Sequence, residues 1–483
     1  MGGTLKFIKI KIKRAVMHSG WSASARFIVI CKNHSISESV MKNVENKVTG
    51  NRKGLVNEQR RRLLQRSLIA SGVLAVGPGL WGCTTQGSPR SAKPLALKKK
   101  VSNIPNLAGT LHEVVVENDP NTRMMVPRGF SVREVARTGQ RAYAGSDYVW
   151  HALPDGGATF PMDDGGWVYV SNSEVGDWRQ GGVGALRFNA QGEVVDSYAI
   201  CTGTTNNCAG GPTPWGTWLT CEEIDEGLVY ECDPTGRQLA VPAPLLGVFK
   251  HEAAAVDPGH RHSYLTEDTE DGNFYRFVPE HYPEGGRADL SKGWLEVAVV
   301  TGDDPLQTRP VQWQTVPNPV PRLGGEDPER RELPTRKQVA DAERFDGGEG
   351  CWYHEGMVYF TTKGDNRVWA LDTNANTLDL IYDKQSDQAF NPGIDDVDNL
   401  VVSAGGDVLV AEDGSEMRLV VVGADITPFE LVNVVGQRDS EICGPAFSPD
   451  GERLYFSSQK GYTGDHTDGR IYELRGPFFV DAG

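Results

Sequence analysis

From about residue 106 to its end, this chain keeps returning to one short pattern: a turn with Gly or Asp-Gly, a β-favouring run, another turn, another run. Residues 166–171 read GWVYVS, and they are followed by β-rich runs at 184–188 and 193–200. Similar sets follow at 217–221 and 228–232, at 263–267 and 274–278, and at 356–362, 367–371 and 378–382. Further sets lie at 400–403, 408–411 and 419–422, and finally at 453–457 and 470–474. Asp-Pro-x-Gly from Asp233 and Pro-Asp-Gly from Pro449 supply tight turns. About six units of short strands cannot each bury two faces alone. Sheets repeated around an axis close such a set without leaving long edges. The pattern predicts an all-β fold, a six-bladed β-propeller, with a two-sheet sandwich as the alternative. Residues 302–340, rich in Pro and charge, are expected to form a surface insertion rather than a blade.

The net charge of −15 hides an asymmetry. Residues 1–82 carry 15 Lys/Arg and 3 Asp/Glu, so the remainder, with 34 basic and 61 acidic residues, stands at −27. Such a body repels nucleic acid and anionic membrane surfaces, and it suits the collection of multivalent cations. Of the 8 cysteines none forms CxxC, and no His pair has zinc-site spacing. Disulfides are open if the chain is exported, Cys221 with Cys232 being among the nearest pairs in sequence. No GxxxxGKS, GxSxG or HExxH occurs, which removes the usual nucleotide, serine-hydrolase and zincin readings.

The leader points to export. Arg60-Arg61-Arg62-Leu63-Leu64-Gln65-Arg66 precedes an uncharged apolar stretch from Ser67 to Gly82, too short and glycine-rich to span a bilayer comfortably. This is the form of a twin-arginine signal, and Leu80-Trp81-Gly82-Cys83 resembles a lipoprotein cleavage box. The expected organisation is an N-terminal extension over 1–55 from an early start codon, a signal over 56–83, a linker over 84–105 and the propeller over 106–483. The expected location is periplasmic, at the cell surface or lipid-anchored, with Cys83 the only membrane attachment.

The stretch with the most chemistry is 206–223, NNCAGGPTPWGTWLTCEE. Gly210, Gly211, Pro212 and Pro214 shape a tight loop, Trp215 and Trp218 wall it, and Cys208 stands before Glu222 and Glu223. A thiolate held near carboxylates is what a transition-metal site needs; residue types alone favour a buried structural cysteine beside surface acids.

This run resembles the signature of the PhoX-type alkaline phosphatases. The resemblance extends over 161–174 (PMDDGGWVYVSNSE), 181–188 (GGVGALRF), 247–252 (GVFKHE), 264–277 (YLTEDTEDGNFYRF), 348–360 and 441–451 (EICGPAFSPDG). It implies a six-bladed propeller with an Fe3+ and Ca2+ cluster in its central channel. Cys208 is then expected to supply a thiolate to iron, and Glu223, Glu252 and Glu349 carboxylates to iron or calcium, with Glu174 and Glu267 the next choices. The implied activity is metal-dependent hydrolysis of a small phosphate ester, with no Ser or His nucleophile. His251, beside Glu252, is open to a proton-donor, orienting or plain packing role. The chain is expected to act as a monomer without nucleic acid.

One position departs from the family. Two residues before Glu349 the family has an arginine that grips the substrate phosphate, and here stands Gly347. Arg344 is the nearest other guanidinium. Two rival functions therefore stay open: a calcium-dependent phosphodiesterase or lactonase on the same propeller, and a non-catalytic propeller holding structural calcium.

Overall fold

A computed structural model describes residues 100–481 except 283–285, 325–330, 387–392, 415 and 424–426. The leader, the possible lipid-attachment cysteine Cys83 and most of the expected linker lie outside the described residues.

The described strands form antiparallel sets that follow one another along the chain. Pro154–Pro161, Trp167–Ser173, Gly181–Phe188 and Val194–Thr204 make the first, and Asn207–Pro212, Trp218–Glu222, Val229–Cys232 and Val241–Pro242 the second. The third runs through His251–Val256, Ser263–Glu267, Phe274–Pro279 and Gly293–Val300; the fourth through Gly348–His354, Met357–Thr362, Arg367–Asp372 and Thr377–Asp383. The fifth contains Val397–Val402, Val408–Glu412, Arg418–Val422 and Phe429–Val435, and the sixth Ile442–Phe447, Arg453–Ser458 and Arg470–Arg475. Each set's first strand packs against the first strand of the next set, and the sixth packs against the first. That closed circuit is a β-propeller, not a sandwich.

Six hydrophobic clusters sit between the sets, one at each junction. Strands therefore send alternate side chains into two different cores. Ala253 and Ala255 face one cluster, while Ala254 and Val256 on the same strand face the other. Burial on both faces explains why runs such as LVVV and WVYV are apolar throughout rather than alternating. Turns take the expected residues: Gly236 and Gly451, at φ +68° and +72°, donate back to Asp233 and Ser448 at 2.9 and 2.8 Å.

The ring is locked by the other end of the chain. Ser131–Arg137 is the outermost strand of the sixth set, so early and late residues complete one sheet. Leu111–Val116 and Asp119–Pro127 extend the fifth set, and Lys100–Ser102, inside the expected linker, pairs with Phe479–Asp481. The expected surface insertion carries a strand: Arg309–Thr315 pairs with Gly293–Val300 on one side and Thr377–Asp383 on the other, joining the third and fourth sets. Cys201, Cys208, Cys221, Cys232, Cys351 and Cys443 are all free. The disulfide considered for Cys221 and Cys232 is absent because the two thiols fall in different clusters. No helix among the described residues is long and apolar enough to cross a membrane.

Candidate metal centre

The innermost strands share one defect. Their pairing to the second strand is irregular between Pro154 and Gly157, His251 and Ala254, Gly348 and Cys351, Val397 and Leu400, and Cys443 and Ala446, and opposite Thr220 and Glu222 in the second set. A bulge frees a residue from the ladder and re-aims its side chain. A second repeat fixes which residues correspond. In every set the residue after the second strand donates its N–H to a carbonyl just before the first: Glu174 to Leu153, Glu223 to Asn206, Asp268 to Lys250, Lys363 to Gly347, Asp413 to Asp396 and Gln459 to Glu441, at 2.8–3.1 Å. Two residues beyond those carbonyls stand Asp155, Cys208, Glu252, Glu349, Asp398 and Cys443. Thus one structural position, repeated around the axis, yields four carboxyls and two thiols.

These side chains meet. Ligand atoms lie within 4.8 Å of one another in four overlapping groups: Asp155–Glu174–Cys208, Cys208–Glu223–Glu252, Glu252–Glu349–Asp398 and Asp398–Glu441–Cys443. Cys208 Sγ donates to Glu252 Oε1 at 3.1 Å. Gln459 Nε2 bridges Asp155 Oδ2 and Glu174 Oε2 at 2.7 and 2.6 Å, and Asn206 Nδ2 donates to Glu223 Oε2 at 3.1 Å. Beneath the acids the strands approach too closely for side chains. A Cβ on Gly156 would lie 2.5 Å from Ala209 Cα, and one on Gly211 would lie 1.7 Å from Ala254 O.

So many acids cannot all be ionised unaided. Two unit charges at ~5 Å repel by about 3 kcal/mol at an effective dielectric of ~20. Burial, then the carboxylates of Glu349, Glu223, Asp398 and Asp155, holds Glu252 well above the usual carboxylate range. Burial, then Asp398, does the same to Glu349, and burial with Glu441 pushes Asp155 up to about 8. Three half-buried ammonium groups face the acids from the same end. Lys250 Nζ pairs with Glu223 and Asp268 at 2.8 and 2.7 Å, Lys460 Nζ pairs with Glu441 at 3.0 Å, and Lys363 pairs with Asp413. Burial pulls Lys363 down, but Asp398, Glu349 and Asp413 outweigh it and hold it charged.

The lysines do not satisfy the centre. Asp155 Oδ1 and Glu252 Oε2 are buried with no hydrogen-bond partner. Orphaned carboxyl oxygens beside thiols are the donor set of a cation cage: oxygens for hard cations, sulfur for a transition metal. The residues fit a metal cluster.

The alkaline phosphatase PhoX family model matches residues 182–461, more than half of the chain. The chain belongs to the PhoX family. No curated protein matches it by sequence. Its fold is similar to that of Pseudomonas fluorescens PhoX in complex with vanadate, a transition-state analogue: TM-score 0.61 and 16% identity, over 76% of this chain and 97% of that one. Looser likenesses, which carry no argument, are to a Xanthomonas campestris gluconolactonase (TM-score 0.38, 14% identity, 80% and 99% covered) and an Agrobacterium tumefaciens calcium-binding regucalcin (0.40, 14%, 72% and 96%).

For a PhoX chain, the residues singled out in the sequence divide cleanly. Cys208, Glu223, Glu252, Glu349 and Glu174 come together on the axis. Glu267 does not. Its carboxylate takes Tyr275 Oη at 2.7 Å, the Asn273 N–H and Arg336 Nη1 at 3.2 Å each, and so holds a blade loop. His251 also points away from the acids. Its Nε2 meets Gly247 O at 3.0 Å, its ring lies 3.7 Å from that of Phe249, and burial pushes it down to about 3. Tied to Gly247 O and laid against Phe249, the ring is placed for packing rather than toward the channel. Arg344 Nη1 is held by the carbonyls of Asp271 and Arg336 at 3.1 and 2.9 Å. Asp155, Asp398, Glu441 and Cys443 are the members that sequence reasoning missed. Aligning the six inner strands as PDGG, NCAG, HEAA, GEGC, VDNL and ICGP exposes four of the six ring positions as acids and two as cysteines.

Proposed function

We propose that this chain is an exported phosphomonoesterase whose channel holds an iron–calcium cluster. The observation that carries this reading is the convergence of acids and a thiol from successive inner strands, with two buried carboxylate oxygens left unpartnered. Cys208 with Glu223 and Glu252 would hold the thiophilic ion, and Glu252, Glu349 and Asp398 a hard one. Bound cations supply the positive charge that neutralises phosphoryl oxygens during in-line displacement.

The protein's own residues supply the rest. Lys250, Lys363 and Lys460 surround the same end of the channel and present ammonium groups to an anionic ester, released from their carboxylates as cations take over that pairing. The Lys363 backbone N–H donates to Gly347 O at 2.8 Å, so Lys363 is the next-door cation to the position from which the family arginine is missing. The leader supports export by the twin-arginine route to the periplasm or cell surface.

Gly347 also favours a second reading, a propeller hydrolase for a bulkier or less charged ester. Its positive φ of +64° has counterparts at Leu153, Asn206 and Asp396 in equivalent places, at +46°, +51° and +48°, and a Cβ there would meet nothing closer than 3.4 Å. A Cβ has room there but would sit on a strained left-handed backbone, and the glycine leaves that space open. The test is phosphate release from p-nitrophenyl phosphate alongside a diester and a lactone. Monoester turnover abolished by chelation and by Cys208→Ala supports the first reading. Turnover of the diester or lactone alone, with calcium bound and no iron, replaces it with the second.

A further inference from the structure

The sixth inner strand carries a thiol that the family resemblance does not assign. Cys443 is fully buried, yet it belongs to none of the hydrophobic clusters. The other described cysteines separate into two kinds. Cys201 and Cys232 pack in the core between the first and second sets, Cys221 in the next core, and Cys351 in the one after it. Cys208 alone shares with Cys443 a place outside every cluster. The backbone agrees: the Gln459 N–H bond to Glu441 O, at 3.1 Å, puts Cys443 in register with Cys208 and the four ring acids.

The surroundings of Cys443 are those of a ligand. Its Sγ lies within 4.8 Å of carboxylate oxygens of Asp398 and Glu441, and all three residues are buried. Asp155, on the strand between those of Cys208 and Cys443, is 1% exposed and keeps Oδ1 without a partner. It belongs to the Cys208 group, and burial apart it is the foremost charge acting on Cys443.

We propose that Cys443 is a metal ligand, so that the channel binds two thiophilic transition-metal ions, one at Cys208 with Glu223 and Glu252 and one at Cys443 with Asp398 and Glu441. Thiolate donors select transition metals over calcium or magnesium, whereas the intervening Glu252–Glu349–Asp398 group, all oxygen, suits the hard cation. This inference rests on the reading of the channel as a cation cage and adds a second sulfur site to it.

The full chain, stripped with chelator and titrated with Co2+ alone, reports each metal–thiolate bond through its near-ultraviolet charge-transfer absorption. The expected result is a band that grows through two equivalents, falls to about half in Cys443→Ser and in Cys208→Ser, and vanishes in the double variant. Cys351→Ser, a core thiol, leaves it unchanged. A full band in Cys443→Ser with none in Cys208→Ser overturns the second site and leaves the cage reading standing; no cobalt bound by the wild type overturns both. Should Cys443→Ser fail to fold, the wild-type titration decides alone: intensity that stops growing after one equivalent overturns the proposal.

Discussion

Glu222 and Glu223, Glu267 and Asp268, and Glu412 and Asp413 are three pairs of neighbouring acids at equivalent places in three sets, and the members of each pair meet opposite fates. The first of each lies within its blade and is satisfied there. Glu222 accepts the N–H groups of Thr205 and Leu228 at 2.8 and 3.2 Å, Glu267 takes Tyr275 and Arg336, and Glu412 receives Arg418 through Nε and Nη2 at 2.7 and 2.5 Å. The second of each turns to the axis, where acids outnumber the lysines. Blade carboxylates are structural anions with fixed partners. Axial ones crowd around a few lysines, and among their neighbours on the inner strands Asp155 Oδ1 and Glu252 Oε2 keep no partner. The difference teaches that buried charge by itself does not mark a functional site; buried charge without an internal partner does.

That contrast can be broken in order of effect. Removing cations with a chelator is expected to lower phosphate release by at least ~10³-fold, the several kcal/mol of charge stabilisation that metals supply, without unfolding the blades. Parallel assay and circular dichroism check this. Loss of fold with loss of metal would erase the distinction between the two regions.

Arg418→Met strikes the blade region instead. It leaves Glu412 buried beside Arg418's vacated place and is expected to cost about 3–5 kcal/mol in urea unfolding, while cation stoichiometry per folded molecule stays unchanged. The reverse holds on the axis. Glu252→Gln removes one crowded acid, so above pH 8 it is expected to stabilise the metal-free protein by about 1 kcal/mol or more while weakening cation binding at least ~10-fold.

The most gradual effect is the pH slope. Asp155 moves from 3.8 to about 8 in the folded, metal-free chain. Between those values the folded state holds the proton more than the unfolded state does, so stability is complete below 3.8 and declines as pH rises towards 8. The slope is at most about 1.4 kcal/mol per pH unit for one such group. Thermal melts are expected to show a falling Tm with rising pH without metal, and a flattened profile once cations take the charge.

Part of this was legible in the sequence. Repeated turn-and-strand runs announce the propeller, and the rigid Gly/Pro stretch around Cys208 draws attention to that thiol. The rest fails for a geometric reason. Successive residues on a strand point to opposite faces, so His251 next to Glu252, and Glu267 next to Asp268, look equally placed in sequence although only one of each faces the axis. Asp155, Asp398 and Cys443 carry no local signal, because what unites them is a bulge register repeated across strands far apart in the chain. The strand Arg309–Thr315 was hidden similarly, its Pro and charges reading as loop until two neighbouring sheet edges accepted it.

The central claim is that the axial acids and thiol exist to hold cations. Elemental analysis of the purified, folded protein, repeated on Cys208→Ala, tests it most directly. The account predicts iron and calcium bound in stoichiometric amounts in the wild type, with the transition metal diminished in the variant. A folded wild-type protein that retains neither ion, even after incubation with both, would contradict it.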